Sequence, residues 1–443
     1  MAASTLPSSG QDCNTFVSKN PFSKQQLSAC KSFSSSAALF RAIFQDHFFL
    51  LALSSLRSIV ISTVKRMLDC CNPRNATVYV CPKCNRYKSV PFTCKSRFCP
   101  SCGSLYNKQR ASSMAEHMFS VNHRHIVFTI PDSLRHYFLE DRSLLNLLFQ
   151  ASYETFSCLI SSVYPKLDVR PGMISVCHTF SRSSDWNPHI HMIATMGGIT
   201  KYGKWFRVSY IPFDKLRLVY QDRLLSLLRN APGPSFQSEA DLLYKLYPDG
   251  FYVRGPKPPA SVSHSVKALV KYVTRYIGRP CIASSRIDGY DGQFVYFHYT
   301  EHSDDKPRYE KLSAFSFILR LIQHIPDKNF KMLRYYGIYQ STAAKSERVM
   351  KALRTGQVTY LYSPSLHNER VWFSHWRGAS IRSFNVDPVQ CPCCNTKMLP
   401  LFYVKNGIGY WATDSRLGQR IGPMNIPRGF HNTSCFGEAF PLL

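Results

Sequence analysis

Two histidines separated by one residue lie within an apolar run, and this pattern constrains the chain more than any other. The run reads WNPHIHMI over Trp186–Ile193 and contains His189 and His191. Side chains alternate between the two faces of a β-strand, so both imidazoles would project from the same side of a sheet. An ordinary half-buried strand can also carry such a pair, so a third histidine in register is needed to indicate a metal site.

The third histidine lies in the strand that the upstream run Met173–Phe180 predicts. The residues SRSSDWNP over 181–188 predict the loop of a hairpin. A hairpin of this kind would set Phe180 opposite His189 and His178 opposite His191. Facing residues on antiparallel strands have Cβ atoms roughly 4.5–5.5 Å apart, which is close enough for three imidazoles to hold one divalent cation.

The segment Ser263–Pro280, SHSVKALVKYVTRYIGRP, predicts a helix that a serine caps and that a glycine and a proline end. Tyr272 and Tyr276 lie four residues apart, beside the apolar stripe of this helix. Such a pair usually packs at the edge of a core. Near a three-histidine metal site, however, the two hydroxyls become candidate nucleophiles. Lys271 and Arg275 lie on a basic flank of the same helix.

Two C-x-x-C pairs form the most specific single motif. CPKC provides Cys81 and Cys84, CPSC provides Cys99 and Cys102, and 14 residues separate the pairs. Four thiolates at this spacing predict one closed, tetrahedral and therefore structural zinc site. Cys94 lies between the pairs as a fifth thiol that could replace one of the four.

A weaker cysteine motif lies near the C-terminus. CPCC supplies Cys391 and Cys394 at zinc-binding spacing, but no second C-x-x-C pair follows. His431 and Cys435 would complete a four-ligand set. An incidental turn with a distant cysteine explains the same pattern, so both interpretations remain open.

The charge of the chain indicates a nucleic-acid partner. Lys and Arg together number 55 against 27 acidic residues, a formal net charge of +28, and Cys70–Ala115 contains no acidic residue. Neutralising phosphates requires such an excess. The predicted DNA-binding residues are Arg86, Lys88, Lys95, Arg97, Lys271 and Arg275.

The order of these motifs resembles the rolling-circle transposases of the insertion sequence ninety-one family. These are HUH endonucleases, named for a histidine, a hydrophobic residue and a histidine. The resemblance rests on a cysteine-rich segment followed by RHIVFTIP, HTF with NPHIHM, YVTRYIGRP and HIPDKNFKMLRYYGIY. It extends from about Ala37 to about Met398, which is most of the chain.

The resemblance implies a mechanism. His189 and His191 would bind Mg²⁺ or Mn²⁺, with His178 as a third ligand on the register argument. Tyr272 and Tyr276 would cut single-stranded DNA and leave a 5′ phosphotyrosine. A cysteine-rich segment that binds structural zinc also precedes the catalytic domain in the family.

The predicted fold class is α+β, with an antiparallel sheet and packed helices in an HUH domain. Four regions are expected: a Ser-rich mobile tail over 1–36, a helical and zinc-binding DNA-binding module over 37–115, the HUH catalytic domain over 116–300 and a C-terminal DNA-binding or accessory region over 301–443. Within the catalytic domain, residues 231–260 are rich in Pro and Gly and predict a loop-bearing insertion. The apolar stretch Phe48–Val64 predicts a buried helix, because it is too short and too polar to span a bilayer.

The function expected is that of a transposase that nicks and rejoins single-stranded DNA at the ends of its element. A plasmid or phage replication initiator of the HUH type and a non-catalytic zinc-dependent DNA-binding protein are the alternatives. No G-x-x-x-x-G-K-[ST] motif occurs, so we expect no nucleotide cofactor, and a host helicase or the replication machinery would separate the strands. The chain begins without a signal peptide, and we expect it in the bacterial cytoplasm with no membrane partner.

Overall fold

Helices and antiparallel strands alternate along the chain. The computed structural model describes residues 22, 30–72, 74–163, 165–231, 236–255, 280–301, 306–361, 377–378, 381, 387–406 and 408–411. The helices are α1 (Ser36–Asp46), α2 (Phe48–Leu53), α3 (Ser58–Leu68), α4 (Pro100–His117), α5 (Arg135–Glu140), α6 (Leu145–Val163), α7 (Phe213–Arg229), α8 (Phe236–Leu246), α9 (Ala314–Ile322), α10 (Ser341–Ala344) and α11 (Glu347–Arg354). The strands are β1 (Ala76–Val80), β2 (Tyr87–Pro91), β3 (His123–Phe128), β4 (Arg170–Phe180), β5 (Trp186–Ile199), β6 (Trp205–Arg207), β7 (Val253–Arg254), β8 (Ile287–Tyr290), β9 (Phe294–Thr300), β10 (Pro307–Ser313), β11 (Leu333–Gly337), β12 (Leu399–Lys405) and β13 (Ile408–Trp411). The α+β class predicted from the sequence is confirmed.

A central antiparallel sheet carries the histidines. Its strands follow the order β11-β4-β5-β3-β7, and β6 pairs with β5 beyond this path. On one face, the apolar positions of β3, β4 and β5 pack under α6 and α7, where Phe149, Phe156 and Tyr220 are fully buried. Alternation along β5 therefore directs Ile190 and Met192 into this core and places His189 and His191 on the opposite face.

The opposite face of the sheet is apolar at one end and polar at the other. Ile174, Val176 and Ile193 pack against the end of α4 and against α11 in a second core. Gly337 ends β11 with φ +59°, and a Cβ there would approach the carbonyl oxygen of Pro171 to 1.8 Å, so only glycine fits. This close approach holds β11 against β4.

The module expected over 37–115 begins with three helices, α1, α2 and α3. Ser35 caps α1 by accepting a hydrogen bond from the amide of Ala38, and Phe40 and Phe44 face a buried core. The predicted single helix over Phe48–Val64 is interrupted, because α2 ends at Leu53 and α3 begins at Ser58. No helix within the described ranges is long and apolar enough to cross a bilayer.

Buried cores and paired strands extend across the predicted boundaries at 115 and 300. The core around α1–α3 includes side chains of β8, β9 and α9, which the prediction divided between the catalytic and C-terminal regions. β11 completes the central sheet, and β12 pairs with β1 over Ala76–Val80. Sequence reasoning divided the chain into consecutive domains, whereas strand pairing joins segments that are hundreds of residues apart.

Residues 231–260 also differ from the predicted loop-bearing insertion. They contain the helix α8 and the short strand β7, which pairs with β3. Phe236, Ala240 and Leu243 bury one side of α8 against the main core, at helical spacing. The predicted helix over Ser263–Pro280 lies outside the described residues, except for Pro280.

Candidate active site and metal centres

Three histidines meet on the polar end of the central sheet. His178 comes from β4, and His189 and His191 come from β5. One ring nitrogen of each lies within 4.8 Å of the others, and no carboxylate or thiol from the described part of the chain belongs to this group. The hairpin therefore brings together the three histidines that the sequence pointed to.

The pairing of these histidines differs from the prediction. His178 pairs with His189, and Val176 pairs with His191, whereas the sequence predicted His178 opposite His191 and Phe180 opposite His189. The predicted loop covered 181–188, but the strand β5 already begins at Trp186 and a bulge follows His178. The pairing is thus displaced by two residues, and a displacement by an even number leaves every side chain on its predicted face.

The ring nitrogens of His189 and His191 are oriented towards one another. The Nδ1 of His189 lies 2.7 Å from the carbonyl oxygen of Asn187, so Nδ1 must donate and Nε2 carries a lone pair in the neutral ring. The two Nε2 atoms are 3.1 Å apart. Two nitrogen ligands of one ion, each about 2.1 Å from it, would lie about 3.0–3.4 Å apart. This donor set therefore fits a divalent cation.

A fourth histidine, which sequence reasoning did not single out, braces the site. His125 lies on β3, and its Nε2 is 2.9 Å from the Nδ1 of His191. A proton on Nδ1 of His191, donated to His125, leaves Nε2 of His191 free to bind a metal. The motif HRHIVF could have indicated this residue, because His125 faces the same side of the sheet as His191.

Burial keeps the imidazoles in their neutral, metal-binding form. Desolvation lowers the pKa of His189 to about 4, and the hydrogen bond to Asn187 opposes this shift only in part. Desolvation likewise lowers the pKa of His125 to about 4. At neutral pH both rings therefore carry lone pairs and no charge.

The turn between β4 and β5 is held from several sides. His324 is buried; its Nε2 donates to the carbonyl oxygen of Ser184 (2.8 Å), and its Nδ1 accepts from the hydroxyl of Thr179 (3.1 Å). Arg320 of α9 lies 3.4 Å from the carboxylate of Asp185 in the same turn. These contacts fix the hairpin just before the strand that carries His189 and His191.

The predicted N-terminal zinc ligands fall into two clusters. Cys99 and Cys102 lie with Cys94 and Cys70, and the four sulfur atoms are within 4.8 Å of one another. This cluster joins the end of α3 to the start of α4, where Cys99 directly precedes Pro100, the first residue of the helix. Cys94 therefore contributes as a full member of the cluster.

Cys81 and Cys84 belong to the second cluster, together with Cys391 and Cys394. The sequence prediction had closed one site from Cys81, Cys84, Cys99 and Cys102, and it had grouped Cys391 and Cys394 with His431 and Cys435. The structure differs because Cys81 and Cys84 lie in the turn of the hairpin β1–β2, where they meet Cys391 and Cys394. His431 and Cys435 lie outside the described residues.

The predicted DNA-binding residues of this module have different environments. Arg86 and Lys95 are exposed, and Lys95 adopts a positive φ of 54°. Lys88 is half-buried and donates to the carbonyl oxygens of Asp387 (2.9 Å) and Gln390 (3.2 Å). Arg97 is half-buried, and desolvation lowers its pKa. Lys88 therefore joins the hairpin β1–β2 to the segment that carries Asp387 and Gln390.

The predicted nucleophiles Tyr272 and Tyr276, with Lys271 and Arg275, lie outside the described residues. The described chain resumes beside the histidine hairpin. Cys281 accepts a hydrogen bond of 2.9 Å from the hydroxyl of Ser184 through its carbonyl oxygen. On the other side, β7 ends next to β3, which carries His125.

A histidine cluster on a sheet, two four-cysteine clusters and a net charge of +28 are the features of a protein that binds metal ions and nucleic acid. Comparisons with known proteins refine this class. A family model described as "Transposase zinc-binding domain" matches residues 41–130, and one described as "Putative transposase" matches residues 172–348.

Two curated relatives match most of the chain. The transposase for insertion sequence element IS801 of Pseudomonas savastanoi pv. phaseolicola is 29% identical over 79% of this chain and 85% of its own length. The "Putative transposase y4qJ" of Sinorhizobium fredii is 23% identical over 75% of this chain and 85% of its own length. No significant match exists among solved structures. These matches identify the chain as a transposase, a DNA-processing enzyme with a zinc-binding domain, and it is similar to the transposases of the insertion sequence ninety-one family.

Proposed function

We propose that this transposase nicks and rejoins single-stranded DNA at the ends of an insertion sequence through a 5′ phosphotyrosine, and that this reaction drives rolling-circle transposition. The observation that carries the proposal is the cluster of His178, His189 and His191, whose ring nitrogens lie within 4.8 Å on one face of the central sheet. Such a cluster has the donors for one divalent cation, and the family match supplies DNA as the substrate.

The cation at this site would be Mn²⁺ or Mg²⁺. When bound, it would draw charge from the scissile phosphate and hold that phosphate in place. Imidazole is a softer donor than a carboxylate, and Mg²⁺ prefers oxygen ligands. We therefore expect Mn²⁺ to support cleavage at lower concentrations than Mg²⁺. Zinc would be confined to the cysteine clusters.

Tyr272 and Tyr276 are the proposed nucleophiles. Support comes from the family resemblance and from chain length, since Cys281 is hydrogen-bonded to the turn of the histidine hairpin. An extended chain covers at most about 3.6 Å per residue, so five residues from Cys281 to Tyr276 span at most about 18 Å and nine residues to Tyr272 at most about 32 Å. This chain length allows either tyrosine to lie near the turn of the histidine hairpin.

The reaction requires no nucleotide cofactor. The tyrosine oxygen attacks the phosphorus atom and loses its proton, while the 3′ oxygen leaves and takes up a proton from solvent. One phosphodiester is exchanged for another, so the bond to tyrosine retains the energy needed for rejoining. Two tyrosines would let one hold a DNA end while the other cuts the next strand. A host helicase or the replication machinery in the bacterial cytoplasm would supply the single strand.

The test is incubation with Mn²⁺ and labelled single-stranded oligonucleotides that span the element ends, followed by denaturing electrophoresis and peptide mapping. We expect a DNA adduct on Tyr272 or Tyr276, no adduct in the double variant Tyr272→Phe/Tyr276→Phe, and unchanged cleavage in Tyr202→Phe. Tyr202 is 57% exposed and lies past the far end of β5, so it is a matched control.

Two results would overturn the proposal. Cleavage that survives in the double variant would exclude these tyrosines as nucleophiles. Tight binding to every end sequence without any adduct would favour the non-catalytic alternative. A replication initiator would instead cut a plasmid or phage origin and ignore the element ends.

A further inference from the structure

We infer that Cys81, Cys84, Cys391 and Cys394 bind a zinc ion of their own, and that this ion fastens the C-terminal strands to the N-terminal module. The four sulfur atoms lie within 4.8 Å of one another, although the two pairs are about three hundred residues apart in sequence. The matched zinc-binding domain covers residues 41–130 and therefore contains only one of the two pairs.

The two pairs lie on the same local structure, used twice. Each belongs to a five-residue motif C-P-x-C-N, at 81–85 and again at 391–395. In each motif the asparagine has a positive φ, 52° at Asn85 and 55° at Asn395. Asparagine suits this position because it tolerates the left-handed region. The turn that it makes after the C-x-x-C pair directs both thiols to one side.

The backbone hydrogen bonds of the two motifs also correspond. The amide of Asn85 donates to the carbonyl of Cys81 (3.0 Å), and the amide of Asn395 donates to the carbonyl of Cys391 (3.0 Å). The amide of each first cysteine then donates to the carbonyl five residues later, at 2.8 Å in one motif and 2.9 Å in the other. Two matched turns that present their thiols to each other form a preorganised tetrathiolate site.

The distances between sulfur atoms fit zinc. Cys81 lies 3.4 Å from Cys394, Cys84 lies 3.5 Å from Cys391, and Cys84 lies 3.7 Å from Cys394, all measured between Sγ atoms. Four ligands about 2.3 Å from a tetrahedral zinc ion are about 3.8 Å apart. A disulfide needs about 2.05 Å, and all four thiols are free.

Among the residues that the structure describes, the apolar core around this site is small. It consists of Tyr79, Val90, Val389 and Met398 together with Cys81 and Cys391. Polar contacts join the same segments: Lys88 donates to two carbonyl groups of the C-terminal segment, and β1 pairs with β12. So small a core requires a metal or another cross-link for stability. The ion would therefore determine whether the C-terminal strands stay attached.

The first test is the zinc content of the purified full-length chain, measured by elemental analysis for zinc and iron. We expect Cys391→Ser and Cys394→Ser each to lose one equivalent of zinc relative to the unchanged protein. Cys393→Ser is the matched control, because Cys393 lies in the same CPCC motif, is exposed and is outside the cluster. An unchanged zinc content in the Cys391 and Cys394 variants, or iron at this stoichiometry, would overturn the inference.

A second measurement uses the unchanged protein and so does not depend on whether a variant folds. Thiol alkylation followed by mass spectrometry should label Cys393 quickly and should leave Cys391 and Cys394 unlabelled until a zinc chelator is added. Equal labelling of Cys393 and Cys394 before chelation would overturn the inference. Neither measurement depends on DNA cleavage, so this site can fail or succeed independently of the proposed function.

Discussion

The histidine site and the cysteine clusters are both built from metal-binding side chains, but they are assembled differently. His178, His189 and His191 come from one hairpin, within a few residues of a single turn. The cluster of Cys81, Cys84, Cys391 and Cys394 instead combines two pairs that are about three hundred residues apart in sequence. Local strand geometry is thus sufficient to assemble the first site, whereas the second exists only if distant segments fold together. The first should serve chemistry, and the second should serve stability.

The largest effect is expected from the cluster at the start of α4. Cys102→Ser removes a buried thiol from a group of four, and structural zinc contributes roughly 10–16 kcal/mol to small zinc-dependent folds. We expect loss of zinc, thermal unfolding well below that of the unchanged protein, and weaker DNA binding. Cys71→Ser is the control, since Cys71 lies 3.8 Å from Cys70 but outside the group. An unaltered unfolding temperature in Cys102→Ser would remove the distinction between the two kinds of site.

The second-largest effect is expected on DNA cleavage, with little change in the free energy of unfolding. His189→Ala/His191→Ala should reduce cleavage by roughly 10³-fold or more, because a metal supplies several kcal/mol of charge stabilisation. We expect the zinc content and the unfolding temperature to remain near those of the unchanged protein. Elemental analysis and calorimetry on the same sample check both. A loss of zinc in this variant would show that zinc is not confined to the cysteines.

The third prediction concerns acid stability. Burial lowers the pKa of His123 and of His324 to about 4, against 6.5 for an ordinary histidine. The unfolded chain therefore binds more protons than the folded one between these values. This contribution to stability is fully present above pH 6.5 and is lost as the pH falls towards 4, by roughly 3 kcal/mol per histidine.

Urea unfolding at pH 7, 5.5 and 4.5 measures this loss. His324→Gln keeps a donor for Ser184 and an acceptor for Thr179 but does not titrate, so its stability should fall less steeply with pH. His136→Gln, at an exposed position, should behave like the unchanged protein. Identical pH dependence in all three proteins would contradict the assignment to His324.

The smallest effect is expected from replacing His125, which contacts His191. His125→Ala removes the partner of His191 Nδ1, and loss of such a partner typically weakens metal binding 10–100-fold. The Mn²⁺ concentration for half-maximal cleavage should rise accordingly, while cleavage at saturating Mn²⁺ should recover. His117→Ala alters an exposed histidine and serves as the control. An unchanged Mn²⁺ requirement would reduce His125 to a packing residue.

Several features of the fold and the site could be predicted because they depend on short-range periodicity. Alternation along β5 places His189 and His191 on one face whatever the exact register, and the displacement of two residues did not change that face. The run over 37–71 contains neither Gly nor Pro and so favours helix, and α1, α2 and α3 occupy most of it. The exact loop length was mispredicted, because β5 starts at Trp186 and a bulge follows His178.

The amino-acid sequence by itself determined which residues can bind metal, which faces of strands and helices they occupy, and that the chain is basic enough for DNA. Tertiary structure alone decided which cysteines are partners, that His125 supports His191, that Lys88 bonds to carbonyls of the C-terminal segment, and that β11 and β12 join sheets begun earlier in the chain. The physical reason is the separation in sequence between the residues that interact. Side-chain direction follows from neighbouring residues, whereas pairing between distant segments depends on burial and hydrogen bonding summed over the whole fold.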